Sequence, residues 1–154
     1  MAGLNIQDLI DRLASHAMTT GHFDRVNTHE PKNKPGRGLT CAVWVNHLGP
    51  AAGMSGLSRT SVRATFNVRL YSNMLSEPQD MIDPSLVLAV DDLLEAYSGD
   101  FTLGDTIKQV DLLGATQGQP LSCEAGYISM DTFTYRVMTI TLPAVLNDVW
   151  LQSP

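Results

Sequence analysis

The sequence predicts an α+β domain in which two helices pack on a mainly antiparallel sheet. Three observations carry this prediction: two stretches with the apolar spacing of helices, several stretches with strand-like alternation, and a length that suits one domain. The predicted order is helix, three strands, helix, three strands. A chain of 154 residues is expected to bury roughly 70% of the surface that it exposes when unfolded. We therefore expect one domain over residues 1–154.

The first helix is predicted over residues 4–17. One helical stripe collects its apolar side chains, namely Ile6, Leu9, Ile10, Leu13 and Ala17. Asn5 is expected at the N-cap with Asp8 three residues later, and Gly21 lies just beyond the C-terminal end. This pattern is typical of a short amphipathic helix.

Three strands are predicted after this helix. A short strand at 22–29 leads into a mobile loop at about 29–38, where two prolines and two glycines break regular structure. The strands at 39–47 and 60–73 alternate apolar and polar residues and are expected to pair antiparallel. Their connection, about 48–59, is longer than the usual two to five residues of a hairpin loop. We therefore expect it to be mobile or functional.

The second helix is predicted over residues 83–99. Asp83 stands at the expected cap, Pro84 at the first helical position and Gly99 after the last turn. Its core-spaced residues are Leu86, Val90, Leu93, Leu94 and Tyr97. The elements expected after it are strands at 106–113, 121–128 and 132–142, and an extended C-terminal tail at 144–154.

The strand at 60–73 raises the main functional question. One of its faces is apolar and carries Val62, Ala64, Phe66, Val68 and Leu70. The opposite face carries Arg63, Thr65, Asn67, Arg69 and Tyr71. Arg63 and Arg69 are roughly 20 Å apart at about 3.3 Å per residue, a span that suits a contact surface better than one small pocket. A solvated sheet face is the competing interpretation.

Composition favours a protein whose surface is covered by a partner. Hydrophobic residues make up 44% of the chain and charged residues 17%, whereas about 25% charged residues is usual for a free-standing domain. The formal net charge of −6 argues against the basic surface that phosphate binding requires. Sequence-specific binding of nucleic acid is therefore not expected.

The two cysteines do not require an oxidising compartment, and the hydropathy pattern does not predict a membrane span. Cys41 and Cys123 lie in strand-like segments without CxxC pairing and are expected as reduced, core-packed thiols. The N-terminal stretch does not resemble a secretory leader, and no window approaches the roughly 20 apolar residues of a membrane span. We expect the protein to stay in the cytoplasm of the cell that makes it.

Catalytic and cofactor-binding patterns are missing from the sequence. It contains neither a phosphate-binding glycine loop nor a nucleophile elbow, and its histidines, His16, His22, His29 and His47, have no metal-ligand spacing. The adjacent Asp91 and Asp92 would point about 100° apart on a helix, which does not suit a catalytic carboxylate pair. We therefore expect no enzyme, no metal and no cofactor.

Charged residues outside the strands are candidates for contacts. The outer face of the second helix carries Asp91, Asp92 and Glu95, which form either a solvated face or a binding surface. The loop at 29–38 carries Lys32, Lys34 and Arg37, which form either a solvated connection or a dock for an acidic partner.

Apolar side chains in exposed segments are further candidates. Met54 and Leu57 lie in a glycine-rich loop, and Trp150 lies near the end of the chain. Such side chains gain little stability unless another surface covers them. We expect these segments to contact a neighbouring subunit or another component.

Two stretches of the chain resemble a known protein family. They are RLYSNMLSEPQDMIDPSLVLAVDDLLEAYSGDFTLGDTIKQVDLLG at 69–114 and AGYISMDTFTYRVMTITLPAVLNDVW at 125–150. Both are similar to the tail terminator proteins of long-tailed bacteriophages, particularly those that infect actinobacteria. Residues 1–59 resemble that family in outline only.

The resemblance implies a structural role in the virion. Six copies would form a ring that caps the finished tail tube, stops its polymerisation and offers its other face to the head–tail connector protein. The implied partners are copies of the same chain, the tail tube protein and the connector, while DNA passes through without specific binding. The implied location is the neck of the virion, after assembly in the host cytoplasm.

Two other classes remain open at this point. A neighbouring neck component, such as a head-completion or adaptor protein, would share the acidic charge but bind on the portal side. A small ligand-binding or enzymatic α+β domain would show a pocket with convergent polar groups. Arrest of tube polymerisation tests the terminator, and a ligand-induced rise in melting temperature tests the small domain.

The ring suggests specific roles for charged residues. A closed ring joins one patch of each subunit to a different patch of the next, so we expect Arg63 and Arg69, with Tyr71 beside them, to meet Asp91, Asp92 or Glu95 of a neighbour. Six copies at −6 give −36, which would repel passing DNA wherever it faces the lumen. The candidates for this lumen-facing charge are Glu77, Asp80 and Asp83.

Overall fold

The computed structural model describes two helices and a six-stranded sheet. The described residues are 5–31, 38–51, 59–73, 81–100, 102–104, 107–114, 119–130 and 132–151, without the side chains of residues 59, 148, 150 and 151. Their elements are α1 (Ile6–Thr20), β1 (Arg25–Asn27), β2 (Leu39–Pro50), β3 (Arg59–Asn73), α2 (Ile82–Gly99), β4 (Gln109–Val110), β5 (Ser122–Met130) and β6 (Phe133–Leu151). The predicted α+β fold, with its order of helices and strands, is confirmed.

Helix α1 spans Ile6–Thr20 rather than the predicted 4–17, but both of its caps are the residues that the sequence predicts. The side chain of Asn5 accepts a hydrogen bond from the backbone N–H of Asp8 at 3.3 Å, which satisfies one of the free donors of the first turn. Gly21 follows the last turn with a φ of 76° and donates its N–H to the Met18 carbonyl. Glycine suits this position because a left-handed φ costs it no Cβ clash.

Helix α2 begins earlier than predicted. Its first residue is Ile82, and Met81 occupies the N-cap position without a side-chain hydrogen bond. The prediction of Asp83 as the cap is therefore wrong, since Asp83 lies in the first turn, where its charge still interacts favourably with the helix dipole. The helix ends at Gly99, as expected.

The centre of the sheet is antiparallel. Its strand order is β1-β2-β3-β6-β4, and β5 also pairs with β6. The pairing of β2 with β3 is antiparallel, as predicted, and β3 pairs with β6 in the same sense. β1 adds to β2 in parallel at one edge. At the other edge, β5 and β4 pair with successive parts of β6.

Several strand boundaries differ from the prediction. β1 is shortened from 22–29 to Arg25–Asn27, and β5 is shifted from 121–128 to Ser122–Met130. β2 continues to Pro50, so residues 48–50 are strand rather than loop, while residues 52–58 of the predicted loop lie outside the described residues. β6 continues to Leu151, which pairs with Arg59, so residues 144–151 form a strand rather than a tail. The strand predicted at 106–113 is reduced to Gln109–Val110.

One hydrophobic core joins both helices to a single face of the sheet. Helix α1 packs on β1 and β2, and α2 packs on β3 and β6. The predicted apolar face of β3 is fully buried here, together with Leu13, Leu86, Leu93 and Tyr97.

The two thiols lie at different depths in this core. Cys41 is buried, as predicted, and burial raises its pKa to about 12. Cys123 is half-buried against the core, and burial raises its pKa as well. Both thiols are free.

Candidate assembly surface

The face of the sheet opposite the helices is the first candidate surface. We call it the open sheet face and define it by Trp44, Asn67, Arg69, Glu124, Thr139 and Thr141. The strand register places these residues in two adjacent rows that run across β2, β3, β6 and β5. All of them except Trp44 line an open concavity of about 350 Å³. Among the described residues, no helix covers this face, because both helices share the core on the other side.

Arg69 is held in place on the open sheet face. Its Nε donates to Oγ1 of Thr139 at 2.8 Å, and its guanidinium carbon lies 5.3 Å from the centre of the Trp44 ring. A cation above an aromatic ring is attracted to its negative face. None of the ion pairs formed by the described residues involves Arg69. The sheet therefore presents a positioned, partly exposed positive charge.

Tyr71 does not belong to this exposed surface. Its side chain is only 2% exposed and contacts the Tyr135 ring edge-to-face, with 6.5 Å between the ring centres. Together with Ala42 and Val137, these rings form a second, smaller hydrophobic cluster. The prediction of Tyr71 as a contact residue is therefore wrong. Burial raises the pKa of Tyr71, although the neighbouring Arg69 charge lowers it in part.

Arg63 is engaged within its own chain. Its Nη1 donates to Oδ2 of Asp111 at 2.7 Å, and its Nη2 donates to the carbonyl of Gln119 at 2.7 Å. The Asp111 side chain is 1% exposed and that of Arg63 is 13% exposed. This pair ties the segment after β4 to β3, so the charge of Arg63 is matched internally rather than offered to a neighbour.

The outer face of α2 is the second candidate surface. Asp91 and Glu95 are exposed there, and neither joins an ion pair with another described residue. Asp92 behaves differently, since its Oδ2 bonds the ring of His22 in the segment after α1. Of the three acidic residues predicted to face a partner, two are therefore available and one is paired internally.

Apolar side chains adjoin the acidic part of this helix face. Val87 and Leu88 are 54% and 55% exposed, and Met81 is 51% exposed at the start of the helix. Leu88 and Asp91 are three residues apart, so their side chains are neighbours on the helix surface. We use the name α2 outer face for Val87, Leu88, Asp91 and Glu95.

Asp83, a predicted lumen residue, forms an ion pair with β6. Its Oδ1 accepts from Nε of Arg136 at 2.9 Å, while the Asp83 side chain remains 60% exposed. Arg136 also donates to the Gly126 carbonyl at 3.3 Å and lies over the Tyr127 ring. Arg136 thus connects α2, β5 and β6.

Two histidines bridge the helices, which their scattered sequence positions did not predict. His16 bonds Asp100 at 2.8 Å, and His22 bonds Asp92. The described residues contain no group of three or more His, Cys, Asp or Glu side chains arranged to hold a metal ion.

Several predicted contact residues lie outside the described residues. They are Lys32, Lys34, Arg37, Met54, Leu57, Glu77 and Asp80, together with the side chain of Trp150. Their predicted roles in contacts or in the lumen stay predictions.

Sequence reasoning missed four members of the open sheet face: Trp44, Glu124, Thr139 and Thr141. The alternation of β6 carries the signal, because Thr139 and Thr141 flank the buried Ile140. Their alignment with Arg69 depends on strand pairing, which the alternation of one strand does not report.

No helix formed by described residues has the length and apolar character needed to cross a membrane. Comparison with known proteins gave no matching family model and no significant match among curated proteins.

Proposed function

We propose that this chain is a structural virion protein: a tail terminator that forms a hexameric ring, caps the tail tube and joins it to the head connector. The observation that carries the proposal is the presence of two unlike surfaces on opposite sides of one domain. The open sheet face presents Arg69, and the α2 outer face presents Asp91 and Glu95. Subunits with two different, complementary patches can join in the heterologous manner that closes rings.

The sequence resemblance supports the same role. The stretches that resemble tail terminators, 69–114 and 125–150, include all of α2 and most of β5 and β6. A terminator needs no catalytic group. It needs surfaces that bind its own copies, the tube and the connector. The ring's formal charge of −36, six times −6, favours DNA transit over DNA binding wherever that charge faces the channel.

Arrest of tube growth tests the proposed function. Purified tail tube protein is polymerised with and without this chain, and tube lengths are measured by electron microscopy. We expect substoichiometric amounts of the chain to stop growth and to appear as density at one tube end. An unrelated acidic protein of similar mass is the control.

Tubes that grow equally long with and without the chain would overturn the terminator. If the chain instead bound only the connector or portal component, it would be a neighbouring neck protein. If a small molecule bound in the concavity of the open sheet face and raised the melting temperature, the ligand-binding alternative would gain support.

A further inference from the structure

We propose that the α2 outer face of one copy docks on the open sheet face of the next copy, with Asp91 and Glu95 directed at Arg69. This inference rests on the proposed function and names the contact that builds its ring. The occupant of the open sheet face is therefore a second copy of this chain.

Charge complementarity selects these two surfaces. Arg63 and Arg136, on the inner strands β3 and β6, are ion-paired within the chain, whereas Arg25 lies exposed on β1 at the edge of the sheet. Arg69 is positioned by Thr139 and Trp44 and has no such pair among the described residues. A guanidinium group whose N–H donors are already oriented loses little further conformational entropy when it binds a carboxylate.

The carboxylates and apolar groups of the α2 outer face make it complementary to the open sheet face. Asp91 and Glu95 are four residues apart, which places them on one side of the helix. Val87 and Leu88 continue this surface with exposed apolar area. Covering that area supplies a hydrophobic contribution that an isolated surface ion pair lacks.

The position of Glu124 sets the orientation of the docked helix. Glu124 lies two strands from Arg69 in the same row, hence about 10 Å away at roughly 4.8 Å per strand. The helix rises about 10 Å between Leu88 and Glu95. A docked helix that runs across the strands can therefore place Glu95 at Arg69 and Leu88 near β5. This orientation keeps the carboxylate of Glu95 away from that of Glu124.

The two surfaces cannot meet within one chain, because the sheet separates them. The contact is thus heterologous: every copy offers its open sheet face to one neighbour and its α2 outer face to another. Repetition closes a ring if the rotation per copy suits closure, and otherwise extends a filament.

Charge reversal and mixing test this contact. Arg69→Glu is one variant, and Asp91→Arg combined with Glu95→Arg is the other. Each alone is expected to raise the concentration needed for assembly by more than about tenfold, because like charges would face each other in every contact. An equimolar mixture should restore assembly, since each contact can then join opposite charges in an alternating ring. Sedimentation velocity gives the masses.

Matched controls separate this contact from general charge effects. Lys108→Glu and Asp11→Arg change exposed residues before β4 and on α1 that lie outside both surfaces. We expect both controls to assemble as the wild type does. Circular dichroism and thermal melting show that each variant is folded before its mass is compared.

Three results would overturn the contact: unchanged assembly of both charge-reversed variants, failure of the folded variants to assemble when mixed, or a wild-type chain that stays monomeric up to about 100 µM. Failure of the proposed function would give different results from failure of this contact. Charge-dependent assembly into open filaments would support the contact but contradict the ring. Arrest of tube growth by a chain whose reversed variants assemble normally would support the function but contradict the contact.

Discussion

Arg63 and Arg69 share one face of β3 but have different surroundings. Arg63 lies at the end covered by the segment after β4 and bonds the buried Asp111, whereas Arg69 lies on the open sheet face. Strand alternation predicted that both would leave the core. It could not predict their partners, because Asp111 is 48 residues from Arg63 in the chain and reaches it only through β4–β6 pairing.

The Arg63–Asp111 pair is expected to matter for stability. Replacing Arg63 with methionine leaves a carboxylate that is 1% exposed without its main positive partner, and breaking such a pair typically costs about 3 kcal/mol or more. Urea denaturation measures the free energy of unfolding. Arg25→Met, at an exposed position, is the control and should change it by less than about 0.5 kcal/mol. A loss below about 1 kcal/mol for Arg63→Met would contradict the assigned role.

At the scale of elements, each helix has a glycine at its C-terminal end, and the two can be compared. Gly21 follows α1, and Gly99 is the last residue of α2. Gly21 has a φ of 76°, whereas Gly99 does not have a positive φ, and a Cβ at either position would meet no atom within 4 Å. Gly21→Ala should therefore destabilise the fold by about 1 kcal/mol through backbone strain alone. Gly99→Ala should be neutral or stabilising by up to about 1 kcal/mol. Equal thermal shifts for both variants would contradict this account of the α1 terminus.

The contact between His16 and Asp100 links the two helices and responds to pH. The hydrogen bond with His16 is the largest influence on Asp100 and lowers its pKa; partial burial opposes this, and the Gly104 amide adds to the lowering. Ionised Asp100 therefore stabilises the fold above the ordinary aspartate pKa of about 3.9, and this contribution disappears as pH falls through the lower, folded value.

Melting temperatures between pH 7 and pH 3 test the role of Asp100. The wild type should melt above Asp100→Asn at neutral pH, and the difference should shrink in acid. Asp11→Asn is the control, because it removes the same charge from an exposed position on α1 that lies outside both proposed surfaces and joins no ion pair among the described residues. A difference that grows as the pH falls would contradict the sign of the shift.

Strand β6 is longer than the sequence predicted. The sequence predicted a strand only to residue 142. Pro143 follows it, and a proline lacks an N–H and usually interrupts a central strand. In the fold, the Pro143 carbonyl accepts from the N–H of Asp111 at 2.8 Å, so this residue directs its backbone polar groups away from β3. The nitrogen of Pro143 thus also faces away from β3, and its lack of an N–H removes no hydrogen bond between β3 and β6. The strand therefore continues to Leu151.

At the scale of the whole molecule, the sequence predicted the fold class more completely than the assembly surface. Apolar periodicity alone identified both helices and the buried face of β3. The open sheet face combines residues from four strands, among them Trp44 and Glu124, so it required the register of the sheet. The acidic face of α2 was visible in the helical pattern, but the pairing of Asp92 with His22 depends on how the helices pack.

Ionic strength should weaken the proposed assembly. The contact joins Arg69 to carboxylates at a surface, where the attraction between charges decays over a Debye length of about 10 Å at 0.1 M salt. This length becomes shorter as the salt concentration rises. We expect the assembly midpoint to move to higher protein concentration between 0.05 and 0.5 M sodium chloride, as measured by sedimentation. An assembly that salt leaves unchanged would count against a charge-directed contact.

The central claim is that copies of this chain close into a ring. Native mass spectrometry over a concentration series tests it most directly, with the 16.8 kDa chain as the unit. The account predicts a discrete species of six chains, 6 × 16.8 = 100.8 kDa, that replaces the monomer as concentration rises. A monomer at every concentration, or a dimer that grows no further, would contradict it.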